Sequence, residues 1–191
     1  MTDLLHSYPQ DFYCRATLEV ARDLLGAVLC RRRQTDGQLL WGSIVEVEAY
    51  TADDPACHAA RGYTARASVM FGPPGHAYVY FIYGMYHCLN VVTEPVGTPG
   101  AVLIRSVDAS GTDGPGKLCR QWQINKAHNG LSLLEPGSEL WICPGKSVPD
   151  NLVARSSRIG ISKATEHLWR FYLKDHPAVS QAKRDKLSAN P

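Results

Sequence analysis

Two glutamates and a tyrosine alternate near the end of one apolar stretch and could together support acid–base chemistry. Leu39–Tyr50 is predicted as a strand, and its period of two puts Glu46, Glu48 and Tyr50 on one face. Residues two apart on a strand are separated by roughly 6.6–6.8 Å, so the two carboxylates could share a site. One carboxylate beside a tyrosine wall could hold a water, take its proton and offset positive charge forming at a sugar carbon. A plain solvent-facing strand is the alternative.

Tyrosines form the second group, and most of them surround a predicted hairpin. Ala77–Ile82 and residues 87–92 are rich in aromatic and β-branched residues, which predicts two strands joined by the Gly-containing link at residues 83–86. Flat rings stack on nucleobases for about 1–3 kcal/mol per base, and they favour a positively charged base such as an alkylated purine. These positions allow a pocket wall and a separate tip residue, or a tip that folds back on the core. The tyrosines concerned are Tyr50, Tyr78, Tyr80, Tyr83 and Tyr86.

A metal site and a thiol nucleophile are weaker interpretations of the same region. No H-E-x-x-H, H-x-H or C-x-x-C spacing occurs, and Cys57 beside His58 is a poor geometry for a nucleophile and its base. We therefore expect no metal and no cofactor. The side chains that could otherwise supply ligands are Glu46, Glu48, Asp53, Asp54, His58 and His76.

Composition and charge fit a folded domain with a local basic surface. The 191-residue chain has a net charge of only +2, but residues 151–191 carry eight Lys and Arg against three acids. Such a surface suits a polyanion, although a charge-rich helical face would look the same. Six cysteines without C-x-x-C and without a signal peptide indicate reduced thiols in a cytoplasmic protein. No apolar run reaches the roughly 18 residues of a membrane span.

The remaining elements follow from periodicity. Apolar residues at helical spacing predict a helix over residues 17–29 with Thr17 as its cap. The three arginines at 31–33 are interpreted as a solvated loop that leads into a polar turn at residues 34–38. A second helix is predicted over residues 117–126, with Lys117 at its amino end. Further strands are predicted at Gly100–Val107, 139–143 and 171–173. We expect one domain over residues 1–191, with residues 1–10 and 180–191 loose.

An ordered set of short motifs resembles the alkyladenine (3-methyladenine) DNA glycosylase family, in the form of a compact bacterial-type member. The likeness begins at Phe12-Tyr13 and covers nearly the whole chain. No single motif is decisive, but their order is highly specific. The motifs are IVEVEAY at 44–50, His58 with Arg61-Gly62, YVY at 78–80, IYGM at 82–85, CLN at 88–90, VLIR at 102–105, GKL at 116–118, INK at 124–126, RIG at 158–160 and RFY at 170–172.

The resemblance implies a fold and an activity. The fold would be a single mixed α/β (α+β) domain, with a curved, mainly antiparallel β-sheet flanked by helices and a protruding hairpin that enters the DNA minor groove. The activity would be monofunctional: water attacks C1′ of a flipped, damaged purine in double-stranded DNA and leaves an abasic site. A monomer without a cofactor is expected.

The resemblance also implies roles for matching residues. Glu48 would be the general base, with Arg105 helping to position the water. Tyr50, His58 and Tyr80 would sandwich the base, Tyr78 would join the substrate-binding wall, Asn90 would contact the purine edge, Tyr83 would intercalate, and Lys117 and Lys126 would contact phosphates.

Two other function classes remain open from the sequence. A non-catalytic protein that flips damaged bases would share the tyrosines but would not need Glu48. A metal-dependent hydrolase acting on nucleotides would lose activity with EDTA, whereas a glycosylase of this kind would not.

Overall fold

The computed structural model describes residues 4–180, which form a curled antiparallel sheet with short helices beside it. This architecture confirms the predicted α+β class. The strands are β1 (Val28–Arg32), β2 (Leu39–Tyr50), β3 (Ala77–Ile82), β4 (Tyr86–Thr93), β5 (Gly100–Val107), β6 (Leu140–Cys143), β7 (Val153–Ser156) and β8 (Arg170–Leu173). The helices are α1 (Gln10–Tyr13), α2 (Thr17–Asp23) and α3 (Pro115–Gln121), with 3₁₀ turns at Ser68–Phe71, Lys126–His128 and Asp150–Leu152.

Strand β2 is the element around which the sheet is built, because its two halves pair with different partners. Its first half pairs with β1, which in turn pairs with β6. Its second half pairs with β5 along one edge and with β8 along the other. The sheet continues from β5 through β4 to β3, while β7 pairs with β8. The second half of β2 is therefore central, and residues 44–49 are all buried.

The alternation along β2 sorts its side chains into two buried groups. Val47 and Ala49 join the main apolar cluster together with Val20 of α2 and Ile104 of β5. Full burial of such a side chain contributes about 1.5–3 kcal/mol. The pairing of β2 with β5 shifts register on either side of Glu46. Irregularities of this kind are common beside functional sites, because they re-aim side chains.

The helix predicted over residues 17–29 is too long. Helix α2 ends at Asp23, and the chain turns at Gly26, whose φ is +84°. A Cβ on Gly26 would lie 2.1 Å from the Lys146 carbonyl oxygen, so only glycine fits this turn. Val28 and Leu29 belong to β1 although their spacing matches the apolar face of a helix. The helical spacing of apolar residues continues to residue 29, but the backbone leaves the helical conformation earlier, so the helix ends before the spacing predicts.

Three further local predictions were wrong. Thr17 does not cap α2, because its hydroxyl contacts the side chains of Thr93 and Glu94. Arg31 belongs to β1 rather than to a solvated loop, and its buried guanidinium pairs with Glu139. The helix predicted over residues 117–126 ends at Gln121.

Within residues 4–180, no helix has the length and apolar character to cross a membrane.

The predicted hairpin is present. Strands β3 and β4 pair from Ala77 opposite Val91 to Ile82 opposite Tyr86, so the turn is one residue shorter than expected. Tyr83 and Gly84 have φ values of 55° and 67°, the left-handed conformation that matches hairpin twist.

The amino-terminal region that the structure describes packs on the sheet. Tyr8 stacks on Phe12 with ring centroids 3.8 Å apart, and its N–H donates to the Ile142 carbonyl at 3.2 Å. Residues 1–3 of the predicted loose lead-in and residues 181–191 of the predicted loose tail lie outside the described residues. The single domain over residues 1–191 accordingly stays a prediction.

Gly26→Ala is expected to destabilise the protein more than Gly37→Ala. Both glycines have positive φ, but a Cβ at Gly37 meets nothing within 4 Å. Each variant should therefore lose about 1–2 kcal/mol for holding alanine at a positive φ. The contact with Lys146 should add about 1–3 kcal/mol at Gly26 alone. Urea denaturation measures both losses, and equal values would contradict this explanation of the turn.

Candidate active site

A cavity of about 1050 Å³ opens beside the end of β2 and collects most of the residues singled out by sequence. Its walls come from β2 to β5, the loop after β2, the start of α3 and residues 159–163. The volume is at the upper end of the range for small-molecule sites. Lys126 is absent from its wall. The predicted residues that line the cavity are Glu48, Tyr50, His58, Tyr78, Tyr80, Tyr83, Asn90, Arg105 and Lys117.

The Glu48 carboxylate is fully buried in this wall and is held from three directions. Oε1 accepts the Ile159 backbone N–H at 2.8 Å and lies 3.0 Å from Arg105 Nη1. Oε2 accepts the Tyr50 hydroxyl at 2.8 Å. Removing a carboxylate from water costs several kcal/mol unless it is paired and hydrogen-bonded. These donors meet that requirement and fix the orientation of the carboxylate.

One acceptor position on Glu48 is left for a water. A carboxylate has about four lone-pair sites, and the contacts within residues 4–180 occupy two on Oε1 and one on Oε2. Burial raises the pKa of the Tyr50 hydroxyl, and Glu48 raises it further, so Tyr50 stays protonated and donates. The side chain of Glu48 has no solvent-exposed surface. The remaining acceptor position is on Oε2, which has no second partner among residues 4–180.

Glu46 lies two residues away but is not part of the cavity wall. Its carboxylate accepts Arg105 Nε at 2.8 Å, Arg170 Nε at 2.7 Å, the Ser106 hydroxyl at 3.0 Å and the Ser180 backbone N–H at 2.7 Å. Burial alone would raise the pKa of Glu46, but Arg105 and Arg170 lower it below its ordinary value. The two carboxylates thus share Arg105, while only one of them faces the cavity.

Arg105 links the two acids and lines the cavity. Burial alone would lower the pKa of its guanidinium, but the facing carboxylates of Glu48 and Glu46 raise it above its ordinary value. Because it is always charged, Arg105 compensates the negative charge of both buried carboxylates.

Three aromatic side chains form one side of the cavity. His58 Nδ1 lies 2.8 Å from the Tyr78 hydroxyl, and the His58 ring meets the Tyr80 ring edge-on with centroids 4.5 Å apart. Burial, with Arg66 nearby, lowers the pKa of His58 to about 4, so its ring is neutral at physiological pH. Burial raises the pKa of Tyr78 to about 12. This side of the cavity is therefore aromatic and uncharged, and contacts between its members fix their positions.

Asn90 adds a directed polar group to this side. It is buried, lies opposite Tyr78 in the β3–β4 pair, and donates Nδ2–H to the Tyr78 carbonyl at 3.0 Å. That bond fixes the plane of the amide against the cavity.

Tyr83 lies at the hairpin tip and is 74% exposed. Its φ of 55° is unusual for a non-glycine residue and costs about 1–2 kcal/mol. Its hydroxyl is 3.9 Å from the position of a Cβ on Gly160, so the tip reaches toward the loop across the cavity mouth. Strain at an exposed aromatic residue is typical of a functional position rather than of a packed turn.

The two predicted phosphate contacts are placed differently. Lys117 lies in the first turn of α3 at the cavity mouth, where its Nζ pairs with Asp113 at 2.7 Å. Lys126 begins a separate 3₁₀ turn. Among residues 4–180, no group of three or more His, Cys, Asp or Glu side chains is placed to hold a metal ion.

Comparison with known proteins decides the family. The family model described as "Methylpurine-DNA glycosylase (MPG)" matches residues 11–111 and 108–177. The chain belongs to the methylpurine-DNA glycosylase family. It is 46% identical over 184 residues to a protein of Myxococcus xanthus, with 91% of this chain and 93% of the relative covered. A Methanocella arvoryzae protein is 47% identical over 195 residues, covering 91% of this chain and 95% of the relative. A protein of the Wolbachia of Culex pipiens is 48% identical over 181 residues, covering 90% and 94%. All three carry the name "Putative 3-methyladenine DNA glycosylase".

The structure of this methylpurine-DNA glycosylase family member adds site residues that sequence reasoning did not assign. Ile159 contributes only a backbone N–H, for which no side-chain pattern exists. Arg158 is buried beneath Tyr50 and forms an ion pair with Asp54, which the sequence suggested only as a weak metal ligand. Arg66 lies over the Tyr80 ring from a loop that carried no signal. Ile159 and Arg158 could not be assigned from the sequence because their partners, Glu48 and Asp54, lie more than 100 residues away along the chain.

Glu46→Gln is expected to lower the free energy of unfolding by about 3–5 kcal/mol, because it leaves Arg170 buried without its anion and Arg105 paired with Glu48 alone. The folded-state pKa of Glu46 is below its ordinary value of 4.5, so its contribution is present above that pH and is lost as pH falls through the folded pKa. Denaturation from pH 7 downward should show an acid-side loss in wild type that is smaller in Glu46→Gln. The exposed Glu166→Gln is the control. A loss no larger than that of the control would contradict the structural role of Glu46.

Proposed function

We propose that this protein removes 3-methyladenine and related damaged purines from double-stranded DNA by hydrolysing the N-glycosidic bond. Membership of the methylpurine-DNA glycosylase family and the names of its relatives support the class of reaction. The observation that carries the chemistry is the buried Glu48 carboxylate, held by fixed donors in the wall of an aromatic cavity.

The damaged base must leave the duplex before it can reach Glu48. Extrusion costs a few kcal/mol, and less for a damaged base that pairs poorly. Tyr50 and Tyr80 are proposed to stack on the faces of the base, with His58 and Tyr78 closing the wall beside them. Such stacking is worth about 1–3 kcal/mol per base, which offsets much of the extrusion cost.

The bond is then broken by a water at the open position on Glu48 Oε2. Glu48 takes one proton from the water, and the water oxygen forms a bond to C1′. The N-glycosidic bond breaks, and its electron pair leaves with the base. The products are the free base and an abasic site. Arg105 holds the carboxylate in position, and the negative charge of Glu48 stabilises the positive charge that develops on the sugar.

Selection of the base is proposed to involve Asn90. Its amide is held in one plane by the Tyr78 carbonyl, so it presents a fixed polar edge to the purine. A guanine amino group would crowd this edge, and adenine-type bases would not. A directed buried polar group discriminates well because a wrong base leaves it unpaired.

The DNA is proposed to be held from the minor groove. Tyr83 would fill the space left by the extruded base, and its exposure and backbone strain at the hairpin tip support this role. Lys117 and Lys126 would contact phosphates, which makes binding salt-dependent. We further propose that the chain acts as a single-domain monomer on cytoplasmic or nucleoid DNA, without a cofactor.

Glu48→Gln is expected to reduce base release by at least about 100-fold, because the amide cannot take the proton. Affinity for the damaged duplex should stay close to wild type, since the amide oxygen still accepts from Ile159. Alkylated duplex is incubated with each protein, heated in alkali and examined for strand breaks, with EDTA present in a parallel reaction. Undiminished excision by the variant would remove Glu48 from the mechanism. A wild type that binds lesions without producing breaks would be a damage-binding protein, and inhibition by EDTA would indicate a metal-dependent hydrolase.

Tyr83→Ala is expected to weaken binding to lesion-containing duplex about tenfold, because stacking at the vacated position is lost. Tyr83→Phe keeps the ring and should bind like wild type. Tyr63→Ala removes a tyrosine that is 71% exposed and is not part of the cavity wall, so it controls for surface aromatic loss. Fluorescence anisotropy with a lesion duplex measures all four proteins. Equal affinity of wild type and Tyr83→Ala would exclude the insertion role.

A further inference from the structure

A buried ion pair between Arg158 and Asp54 lies beside the candidate active site but outside the cavity wall. Neither side chain has exposed surface, and neither lines the cavity. Arg158 Nη2 donates to Asp54 Oδ1 at 2.9 Å, and Nη1 donates to Oδ2 of the same carboxylate, so the contact is bidentate. Asp54 Oδ1 also accepts the Ala56 backbone N–H at 2.9 Å. The pair therefore joins the loop after β2 to the segment that begins at residue 158.

Stability alone does not account for this ion pair. The cost of removing two charges from water often exceeds their attraction, and well-packed apolar residues can replace a buried pair without loss of stability. Arg158 Nε is buried and has no hydrogen-bond partner among residues 4–180, so the desolvation cost is only partly offset. A role in placing other groups accounts for the pair better than a role in the core.

The guanidinium of Arg158 controls the position of two groups that donate to Glu48. Nη1 donates to the Ala49 carbonyl at 2.8 Å, and the guanidinium carbon lies 4.5 Å from the centroid of the Tyr50 ring. The Tyr50 hydroxyl in turn donates to Glu48 Oε2. The second donor, the Ile159 backbone N–H, belongs to the residue that follows Arg158 and reaches Glu48 Oε1. Both of these hydrogen bonds therefore depend on where one side chain is held.

This arrangement requires the planar shape of arginine. The guanidinium binds both carboxylate oxygens of Asp54, and it also contacts the ring of Trp169, whose centroid lies 5.1 Å away. A lysine ammonium would keep the charge but lacks the fork that binds a carboxylate through two parallel bonds. Burial alone would lower the pKa of Arg158, but the hydrogen bond and charge of Asp54 raise it above its ordinary value, so the guanidinium stays charged.

We propose that Arg158, held by Asp54, is a positioning residue for base excision that sets the direction of the donors to Glu48. This inference rests on the proposed glycosylase function. The Ile159 N–H and the Tyr50 hydroxyl occupy lone-pair positions on the carboxylate, so their placement decides where the remaining position on Oε2 points. The water at that position attacks C1′, and a misplacement of about 1 Å can lower a reaction rate about 100-fold.

Arg158→Lys tests the inference by separating the rate of base release from the affinity for DNA. Single-turnover release of 3-methyladenine from methylated duplex DNA is measured with saturating protein. Fluorescence anisotropy measures affinity for a duplex that has a tetrahydrofuran in place of one nucleotide. The release rate should fall about 10- to 100-fold while the affinity stays within about twofold of wild type, because the pair acts through Glu48 and does not line the cavity. Asp54→Asn keeps the side-chain volume but weakens the bidentate contact, and it should show the same split with a smaller loss of rate.

Arg31→Lys is the matched control. Arg31 also has a buried guanidinium paired with a carboxylate, that of Glu139, but it is not part of the cavity wall. Urea denaturation measures the stability of each variant. Arg31→Lys should lose stability and still release the base at the wild-type rate.

A wild-type release rate in Arg158→Lys overturns the inference. An equal loss of rate in Arg31→Lys also overturns it, because the effect would then be one of stability, and so does a loss of affinity as large as the loss of rate. If Arg158→Lys does not fold, Asp54→Asn decides, and failure of both to fold would assign the pair to the core and overturn the inference. A wild type that releases no base would instead overturn the proposed function.

Discussion

The structure depends on the burial of two carboxylates, Glu46 and Glu48, at the centre of one strand. Each buried anion costs several kcal/mol unless cations and donors surround it. Arg105 serves both acids, and Arg170 completes the pairing of Glu46. These arginines come from β5 and β8, the strands that pair with the two edges of β2. The strand pairing that builds the sheet therefore also brings the compensating charges to the two acids.

In the proposed mechanism, the two acids have different tasks, one structural and one chemical. Glu46 is saturated by its partners and ties β5, β8 and the backbone at Ser180 to β2. Glu48 is held just as firmly but keeps one acceptor position, and its partners include the Tyr50 hydroxyl at the cavity wall. Rigid placement of a reactive group on a strand, with oriented donors behind it, is the arrangement that preorganised catalysis requires. The strained, exposed hairpin tip is the contrasting element, suited to entering another molecule.

Sequence reasoning predicted the central strand and the hairpin, and all but one of the site residues that it named line the cavity, because these features depend on local alternation and on residue type. It failed where distant contacts decided the outcome. Val28 and Leu29 fit a helical face, yet Gly26 and its close approach to Lys146 direct them into a strand. The Ile159 backbone N–H and the Arg158–Asp54 pair have no signature in spacing, since the fold alone brings these segments together. Alternation alone did not distinguish Glu46 from Glu48; the family resemblance implied a role for Glu48, and the structure shows how differently the two acids are surrounded.

The most direct test of Glu48 as the group that stabilises charge at C1′ uses duplexes with two abasic-site mimics. One carries a pyrrolidine that is positively charged near the C1′ position, and the other carries an uncharged tetrahydrofuran. Transition-state mimics bind more tightly than neutral analogues by a factor of about 100 or more when the enzyme stabilises the matching charge. Wild type should strongly prefer the pyrrolidine duplex, and Glu48→Gln should bind the two about equally. The same preference in both proteins would contradict the account.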